Sequence, residues 1–162
     1  QDNQLFKIGD LEVKTISIPG HTSGHIAYYF EKEKIIFTGD TLFSMGCGRI
    51  FEGNHEQMFN SLNKLKSLSH ETKIYCGHEY TKNNLAFCLK FDAKNPFLHE
   101  KSKIINLRLS EKQPTIPSTI EDELKTNIFL RCNDMLIKKG LDQKNSSELE
   151  IFRKLRDLKD AF

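Results

Sequence analysis

The sequence predicts an α+β fold, in which strands fill the first half of the chain and helices fill the second. Short apolar segments rich in β-branched residues recur as far as residue 76, whereas apolar residues after about residue 79 follow helical spacing. Strands first and helices afterwards are typical of an α+β protein, or of two structural units that meet where the pattern changes. The length of 162 residues suits one domain or one and a half.

Four strands are predicted before the change of pattern. Residues 11–18 are partly alternating and end at a Pro-Gly pair. Residues 26–30 and 35–38 are apolar runs joined by a short charged segment, which predicts a hairpin. The last predicted strand covers residues 73–76.

Helices are predicted from capping signals and apolar spacing. Asn54 and Gln57 have the spacing of a capping box, and apolar residues follow at helical spacing from 58 to 68. In the second half, similar start signals stand at Ser118 and Ser147, and two prolines between residues 113 and 118 should interrupt the chain. The four helices predicted there cover about 80–91, 97–109, 119–139 and 147–160.

Composition excludes several classes of protein. No apolar run approaches the roughly 18 residues that a membrane-spanning helix needs, so we expect no membrane span. The net charge is only +2, with basic and acidic residues interleaved, which does not favour a nucleic-acid partner. The four cysteines form no CxxC pair, so we expect free thiols in a reducing compartment.

The start of the sequence allows two interpretations. No charged-then-apolar leader opens the chain, so we expect a cytoplasmic protein. The first residue is Gln rather than Met, however, which raises the alternative that the chain is a piece of a longer polypeptide.

Three predicted strands end in the same way. His21, Asp40 and His78 each directly follow a glycine at the end of an apolar segment. Loops at strand ends are where a rigid scaffold presents functional groups, and imidazole nitrogen and carboxylate oxygen are good ligands for zinc and similar ions. From the pattern alone, a metal site and a set of ordinary turns remain the two alternatives.

Longer motifs around these residues resemble a known family. Residues 19–25 (PGHTSGH) resemble the PGHTxGH segment of the metallo-β-lactamase superfamily. Three more segments and a long helical tail are similar to glyoxalase II, the hydroxyacylglutathione hydrolases: TGDTLF at 38–43, GCGR at 46–49 and CGHEYT at 76–81. The resemblance implies that residues 1–78 are the C-terminal half of a metallo-β-lactamase αββα sandwich. It also implies that residues 79–162 are an all-helical domain that binds the glutathione substrate.

The resemblance further implies a thioester hydrolase with two divalent metal ions, usually zinc and sometimes iron or manganese. Such enzymes cleave S-D-lactoylglutathione to glutathione and D-lactate, the second step of methylglyoxal detoxification. Asp40 matches the carboxylate that bridges both ions and orients the nucleophilic water, while His21 and His78 match ligands of the first and second ion. Two ions about 3.5–4 Å apart lower the pKa of a shared water and polarise the thioester carbonyl. His25 is expected to support a ligand from behind rather than to bind metal itself.

Five residues match substrate-facing positions of the family. Arg156 and Lys159 match a basic pair that holds the carboxylates of glutathione, and Arg49, Phe51 and Tyr80 match other positions around the substrate. Phe51 stands where relatives often have Tyr, so one hydrogen bond to the substrate is expected to be missing. The basic pair has another interpretation, because oppositely charged residues four apart in the same helix would form salt bridges on a solvated face.

One signature of the family does not occur in this sequence. No HxH is present, so the HxHxDH ligand cluster is missing and each metal keeps one His plus the shared Asp40. Zinc normally takes at least three protein ligands. The chain is then either part of a longer hydrolase or completed by a separate chain, and is otherwise expected to be monomeric. A non-catalytic remnant that binds a partner is the alternative, and within the enzymes a persulfide dioxygenase is the rival, although that branch lacks the long helical tail.

Overall fold

A mixed six-stranded sheet organises the first half of the computed structural model, which describes residues 2–162. Gln1, the first residue of the predicted N-terminal unit, lies outside the described residues. The sheet order is β1-β2-β3-β4-β7-β8, and β5 and β6 form a separate small hairpin. The strands are β1 Leu5–Ile8, β2 Leu11–Ser17, β3 Ile26–Phe30, β4 Ile35–Gly39, β5 Leu42–Phe43, β6 Gly46–Cys47, β7 Lys73–Cys76 and β8 Ser118–Thr119.

The four predicted strands and the predicted hairpin are confirmed. β3 and β4 pair antiparallel, with Tyr28 opposite Phe37, whereas β4 and β7 pair in parallel. β1 was not predicted, although it is as long as β7. The two-residue strands β5, β6 and β8 were not predicted either, because pieces this short carry little periodicity of their own.

Six helices complete the fold of residues 2–162, and two of the three predicted start signals form capping boxes, at Asn54 with Gln57 and at Ser147 with Glu150. The start signal near residue 118 is displaced by one position, since Thr119 is the residue whose side chain caps the helix. The helices are α1 His55–Lys66, α2 Thr81–Phe91, α3 Pro96–Ser110, α4 Ile120–Thr126, α5 Met135–Gly140 and α6 Glu148–Asp160.

The single helix predicted over 119–139 is wrong, because the chain forms two helices, α4 and α5, in that range. Asn127 ends α4 with an extended backbone. Its side-chain amide donates to the carbonyl of Gly46 at 3.1 Å and to Glu123 at 2.9 Å, and its oxygen accepts the N–H of Phe129 at 3.0 Å. These hydrogen bonds replace those that a continuing helix would have made.

The two faces of the sheet have different surroundings. One face carries Ile16, Ala27, Tyr29, Ile36 and Ile74, which are buried in a core shared with the helices. The opposite face, here called the outer face, carries Ile26, Tyr28, Phe37 and Tyr75. Tyr28 is 41% exposed and Phe37 44% exposed, and the Phe37 and Tyr75 rings stack with centroids 5.4 Å apart. Within residues 2–162, the sheet is therefore covered by helices on one side.

The helical half is joined directly to the sheet. β8, which belongs to the helical half of the sequence, pairs with β7 and so forms one edge of the sheet. α6 packs against α1, where Phe152 meets Phe59 with ring centroids 5.7 Å apart. Among residues 2–162, no helix combines the length and the apolar character that crossing a bilayer requires.

Candidate metal centre

The parallel pairing of β4 and β7 brings two of the strand-end residues together. Gly39 lies opposite Cys76 in this pair, so the carboxyl ends of both strands meet at one edge of the sheet. Asp40 and His78 follow these ends, and His78 Nε2 lies 3.5 Å from Asp40 Oδ1. His21, from the loop after β2, places its Nε2 3.6 Å from Asp40 Oδ2. Each imidazole thus faces a different oxygen of one carboxylate.

The carboxylate of Asp40 is poorly satisfied by the protein itself. Both imidazole contacts exceed normal hydrogen-bond length, and Oδ1 is a buried oxygen with no hydrogen-bond partner among the described residues. An unpaired buried carboxylate oxygen is costly, and such groups usually have a partner, which can be an ion. An orphaned oxygen flanked by two imidazoles fits a metal-bridging carboxylate. Within residues 2–162, no three such side chains gather around one point closely enough to hold a single ion, so each ligand set is partial.

His21 is held in the tautomer that a metal ligand needs. Its Nδ1 lies 2.9 Å from the carbonyl oxygen of Arg49, and a carbonyl only accepts, so Nδ1 carries the proton and donates it. The lone pair on Nε2 is then directed towards Asp40. Metal-binding histidines are commonly oriented by this kind of hydrogen bond to the other ring nitrogen.

His25 lies behind Asp40. Its Nε2 accepts the backbone N–H of Asp40 at 3.1 Å, and its ring meets that of His21 edge to face with centroids 5.8 Å apart. The lone pair of His25 is therefore engaged by the backbone that carries Asp40. In this geometry His25 holds the backbone of Asp40 from the side away from the cleft.

Two glycines allow the backbone to approach Asp40. A Cβ on Gly77 would lie 2.5 Å from Asp40 Oδ1, and a Cβ on Gly48 would lie 1.9 Å from the Asp40 carbonyl oxygen. Both distances are shorter than real Cβ contacts. The GCGR and CGHEYT motifs therefore contain glycine where any side chain would displace Asp40.

A cleft of about 450 Å³ opens beside the three strand-end residues. All the predicted metal-binding and substrate-facing side chains border it, whereas His25 does not. Tyr80 stacks on His78, with ring centroids 4.9 Å apart and an interplanar angle of 17°. Phe51 leans on His21 with centroids 4.8 Å apart and is 69% exposed at the rim.

Lys159 also borders the cleft and lies among aromatic rings. Its Nζ donates to the carbonyl of Asn83 at 3.2 Å and lies 5.0 Å and 4.9 Å from the ring centroids of Phe87 and Phe162. Burial, and secondarily the nearby charge of Arg156, lowers the pKa of Lys159. The ammonium is thus partly desolvated and faces the cleft. Asn83 and Phe162 also border the cleft, although neither was predicted as a site residue. Asn83 lies in no motif, whereas Phe162 closes the terminal segment that also contains Arg156 and Lys159.

Arg156 is buried, at 2% exposed. Its Nη1 donates to the carbonyl of Cys47 at 2.7 Å and its Nη2 to Asp160 at 3.0 Å. Arg156 and Asp160, which are four residues apart in the same helix, therefore form a salt bridge. The guanidinium also holds the loop beside the cleft through the carbonyl of Cys47. Its predicted contact with substrate stays a prediction, as does that of Arg49, which reaches Asp160 with Nε 3.5 Å from the carboxylate.

The four cysteines are free thiols in this structure, as expected. Burial raises the pKa of Cys47, which lies on the wall of the cleft, and raises that of Cys88 to about 12. A nucleophilic cysteine needs a lowered pKa, so Cys47 is unsuited to attack a thioester.

The mixed sheet with metal-competent residues at its strand ends is that of a metallo-β-lactamase fold, as two comparisons show. The model of the metallo-beta-lactamase superfamily matches residues 1–78. The crystal structure of ETHE1 from Myxococcus xanthus matches 98% of this chain and 51% of its own, with a TM-score of 0.61 and 22% identity, which shows the shared fold. BLEG-1 B3 metallo-beta-lactamase matches 80% of this chain and 46% of its own, with a TM-score of 0.54 and 25% identity.

The second half of the chain decides the family. The model described as hydroxyacylglutathione hydrolase C-terminus matches residues 79–162, and the chain belongs to this family. It is 51% identical to the hydroxyacylglutathione hydrolase of Pelagibacter ubique, across 99% of this chain and 62% of that protein. The corresponding Chelativorans protein is 45% identical, across 99% of this chain and 63% of its own length. The chain therefore spans about three-fifths of these relatives, and the resemblance seen in the motifs is confirmed.

Proposed function

We propose that this chain is the C-terminal part of a metal-dependent hydrolase that cleaves S-D-lactoylglutathione to glutathione and D-lactate. The observation that carries the proposal is the Asp40 carboxylate, which has one imidazole at each oxygen and an unpaired buried oxygen. Residues 1–78 would supply metal ligands and residues 79–162 the surface that holds glutathione. The match of the second half to the hydrolase family favours this activity over a persulfide dioxygenase.

The proposed metal ligands divide between two sites. His21 and Asp40 would hold one ion, and Asp40 and His78 the other. The ions, when bound, acidify a shared water and polarise the thioester carbonyl. Imidazole and carboxylate ligands suit zinc, with iron and manganese as alternatives. Within the chain, the carbonyl of Arg49 and the ring of His25 keep His21 and Asp40 oriented for this purpose.

The part of the cleft around Lys159 suits the anionic part of the substrate. Glutathione carries carboxylates, and a partly desolvated ammonium attracts a carboxylate more strongly than a fully hydrated one does. Lys159 has this character, which supports it as the main anchor, with Arg49 at the rim. Tyr80 and Phe51 would pack against the substrate on either side of the metal ligands. The free thiols of the chain support a cytoplasmic location.

Residues 2–162 supply an incomplete set of ligands for the proposed site. Each ion would have only two ligands from this chain, and the outer face exposes aromatic side chains that a soluble domain usually covers. We propose that the part of the whole protein that has no counterpart here covers this face and supplies the remaining ligands, in the same polypeptide or as a separate chain. The same two observations favour the second candidate function, a binding fragment without turnover.

The test compares this chain alone with a fusion protein, in which a segment of a relative is joined upstream of this chain. The upstream segment would be the part of the Pelagibacter ubique relative that has no counterpart in this chain. After dialysis, we expect two zinc ions per molecule of the fusion and little retained metal on the chain alone, measured by elemental analysis. The fusion should hydrolyse S-D-lactoylglutathione and the chain alone should not. Asp40→Ala in the fusion should abolish this hydrolysis. A folded, metal-loaded fusion without turnover would favour the binding fragment.

A further inference from the structure

The loop at residues 43–48, here called the site loop, is held by the helical half along its whole length. Every backbone carbonyl in this loop accepts a hydrogen bond from a side chain of α2, α6 or Asn127. The acceptors and donors are Phe43 with Asn127 (3.5 Å), Ser44 with Asn84 (3.0 Å), Met45 with Cys88 (3.3 Å), Gly46 with Asn127 (3.1 Å), Cys47 with Arg156 (2.7 Å) and Gly48 with Arg156 (3.4 Å).

Glu123 is a fully buried acidic side chain in this network. Its Oε2 accepts the backbone N–H of Met45 at 2.7 Å and the amide of Asn127 at 2.9 Å. Met45 is itself buried and has φ +61°, a left-handed conformation that a non-glycine residue rarely adopts. Such a conformation persists only when the surroundings hold it. Glu123 supplies the acceptor at the strained residue.

The site loop in turn borders the candidate metal centre. The N–H of Gly48 donates to the carbonyl of Thr41 at 3.1 Å, and the Gly48 backbone lies against the carbonyl of Asp40. The next residue, Arg49, provides the carbonyl that fixes the tautomer of His21. A displacement of the loop would therefore move the group that directs His21 Nε2 towards Asp40.

We propose that Glu123 is a positioning residue for the metal centre: it holds the site loop at Met45, and the loop holds the backbone around Asp40 and the ring of His21. That the arrangement serves a metal centre rests on the proposed function. The mechanical link itself, from Glu123 through the loop to His21, does not depend on it.

The first measurement is amide hydrogen exchange by NMR on the 162-residue chain without metal. In Glu123→Ala, the Met45 N–H loses its acceptor, and we expect the amides of Met45 and Gly48 to exchange at least about tenfold faster, relative to that of Ile36 in β4. Glu123→Gln retains a carbonyl acceptor for Met45 and for Asn127, so it should keep exchange at the loop within about threefold of the unmodified chain. Rescue by the glutamine variant identifies the hydrogen bond, rather than bulk packing, as the cause.

The second measurement is the ¹⁵N chemical shift of the His21 ring nitrogens, which reports the tautomer. We expect the protonated Nδ1 form to persist in Glu123→Gln and to mix with the other tautomer in Glu123→Ala. Should Glu123→Ala not fold, Glu123→Asp replaces it, because a side chain one methylene shorter cannot reach Met45 and Asn127 together. The proposal is overturned if loop exchange in the folded variant changes no more than that of Ile36 and the His21 tautomer is unchanged. Neither measurement uses substrate, so an inactive fusion would reject the hydrolase and leave this test intact.

Discussion

Gly77 and Gly24 have opposite surroundings, although both lie in motifs that border the candidate metal centre. A Cβ on Gly77 would lie 2.5 Å from Asp40 Oδ1, whereas a Cβ on Gly24 would have no atom within 4 Å. The difference arises because Gly77 directly follows β7 and packs against the Asp40 carboxylate, while Gly24 lies in an open turn. Glycine is thus required at one position for close approach and tolerated at the other.

Gly77→Ala should therefore displace the Asp40 carboxylate and weaken metal binding. In the fused protein described above, we expect the zinc affinity to fall at least about tenfold, roughly the effect of disturbing a ligand's immediate support. Competition with a chelating indicator would measure it. Gly24→Ala is the matched control and should leave the affinity unchanged, and equal affinities in the two variants would contradict the role given to Asp40.

Glu123 should make stability depend on pH. Burial raises the pKa of its carboxyl from 4.5 to about 7 in the folded chain, with the N–H of Met45, the amide of Asn127 and Lys101 opposing that shift. The folded state binds the proton more tightly than the unfolded state, so the stability from this proton is complete below about pH 4.5 and is lost as the pH rises through about 7.

Glu123→Gln should remove this dependence. It should unfold with nearly the same free energy as the unmodified chain at pH 5 and be more stable at pH 8, by up to about 3 kcal/mol. Urea denaturation at both pH values measures the difference. Glu121→Gln, on an exposed position of the same helix, is the control and should show the pH profile of the unmodified chain. Parallel profiles for all three proteins would contradict the raised pKa.

Helix α6 shows at the level of an element what sequence can and cannot predict. Its capping box and apolar stripe are local signals, and both predicted the helix correctly. The break at Asn127 was missed, because the groups that compete with helical hydrogen bonding there include the carbonyl of Gly46, 81 residues away in the sequence. The candidate site follows the same rule. Its strand-end residues His21, Asp40 and His78 are marked by the motifs around them, whereas the contact of Glu123 with Met45 joins residues 78 positions apart in the sequence.

The packing of α6 predicts a large loss of stability for Phe152→Ala. Phe152 is fully buried between Phe59 and Phe129, with ring centroids 5.7 Å and 6.0 Å away. Its truncation should lower the free energy of unfolding by about 3–5 kcal/mol, measured by urea denaturation. Lys154→Ala, on the exposed side of the same helix, should change it by less than about 0.5 kcal/mol. Similar losses in both variants would mean that α6 is not docked through Phe152.

At the scale of the whole molecule, the sheet has one face buried in the core beneath the helices and one exposed face, the outer face. Adjacent residues of β3 report on each, since Tyr29 is buried beneath the helices and Tyr28 is exposed on the outer face. We expect Tyr28→Thr to reduce the fluorescence of a bound hydrophobic dye and to change the unfolding free energy by less than about 1 kcal/mol. Tyr29→Thr should instead destabilise the chain by about 2–4 kcal/mol. If both substitutions destabilise equally, the outer face is covered in solution.

The two edges of the sheet are unequal, and this limits how copies of this chain could join. β8 offers only two residues and lies between Pro117, which has no N–H to donate, and the start of α4. β1, at the other edge, is the longer edge strand with four residues. A filament built by strand pairing needs two usable edges on every subunit, one for each neighbour. Since the six-stranded sheet of residues 2–162 has one such longer edge, pairing of β1 with β1 ends in a two-fold dimer. Association through this sheet is therefore expected to stop at two copies rather than to propagate as a fibre.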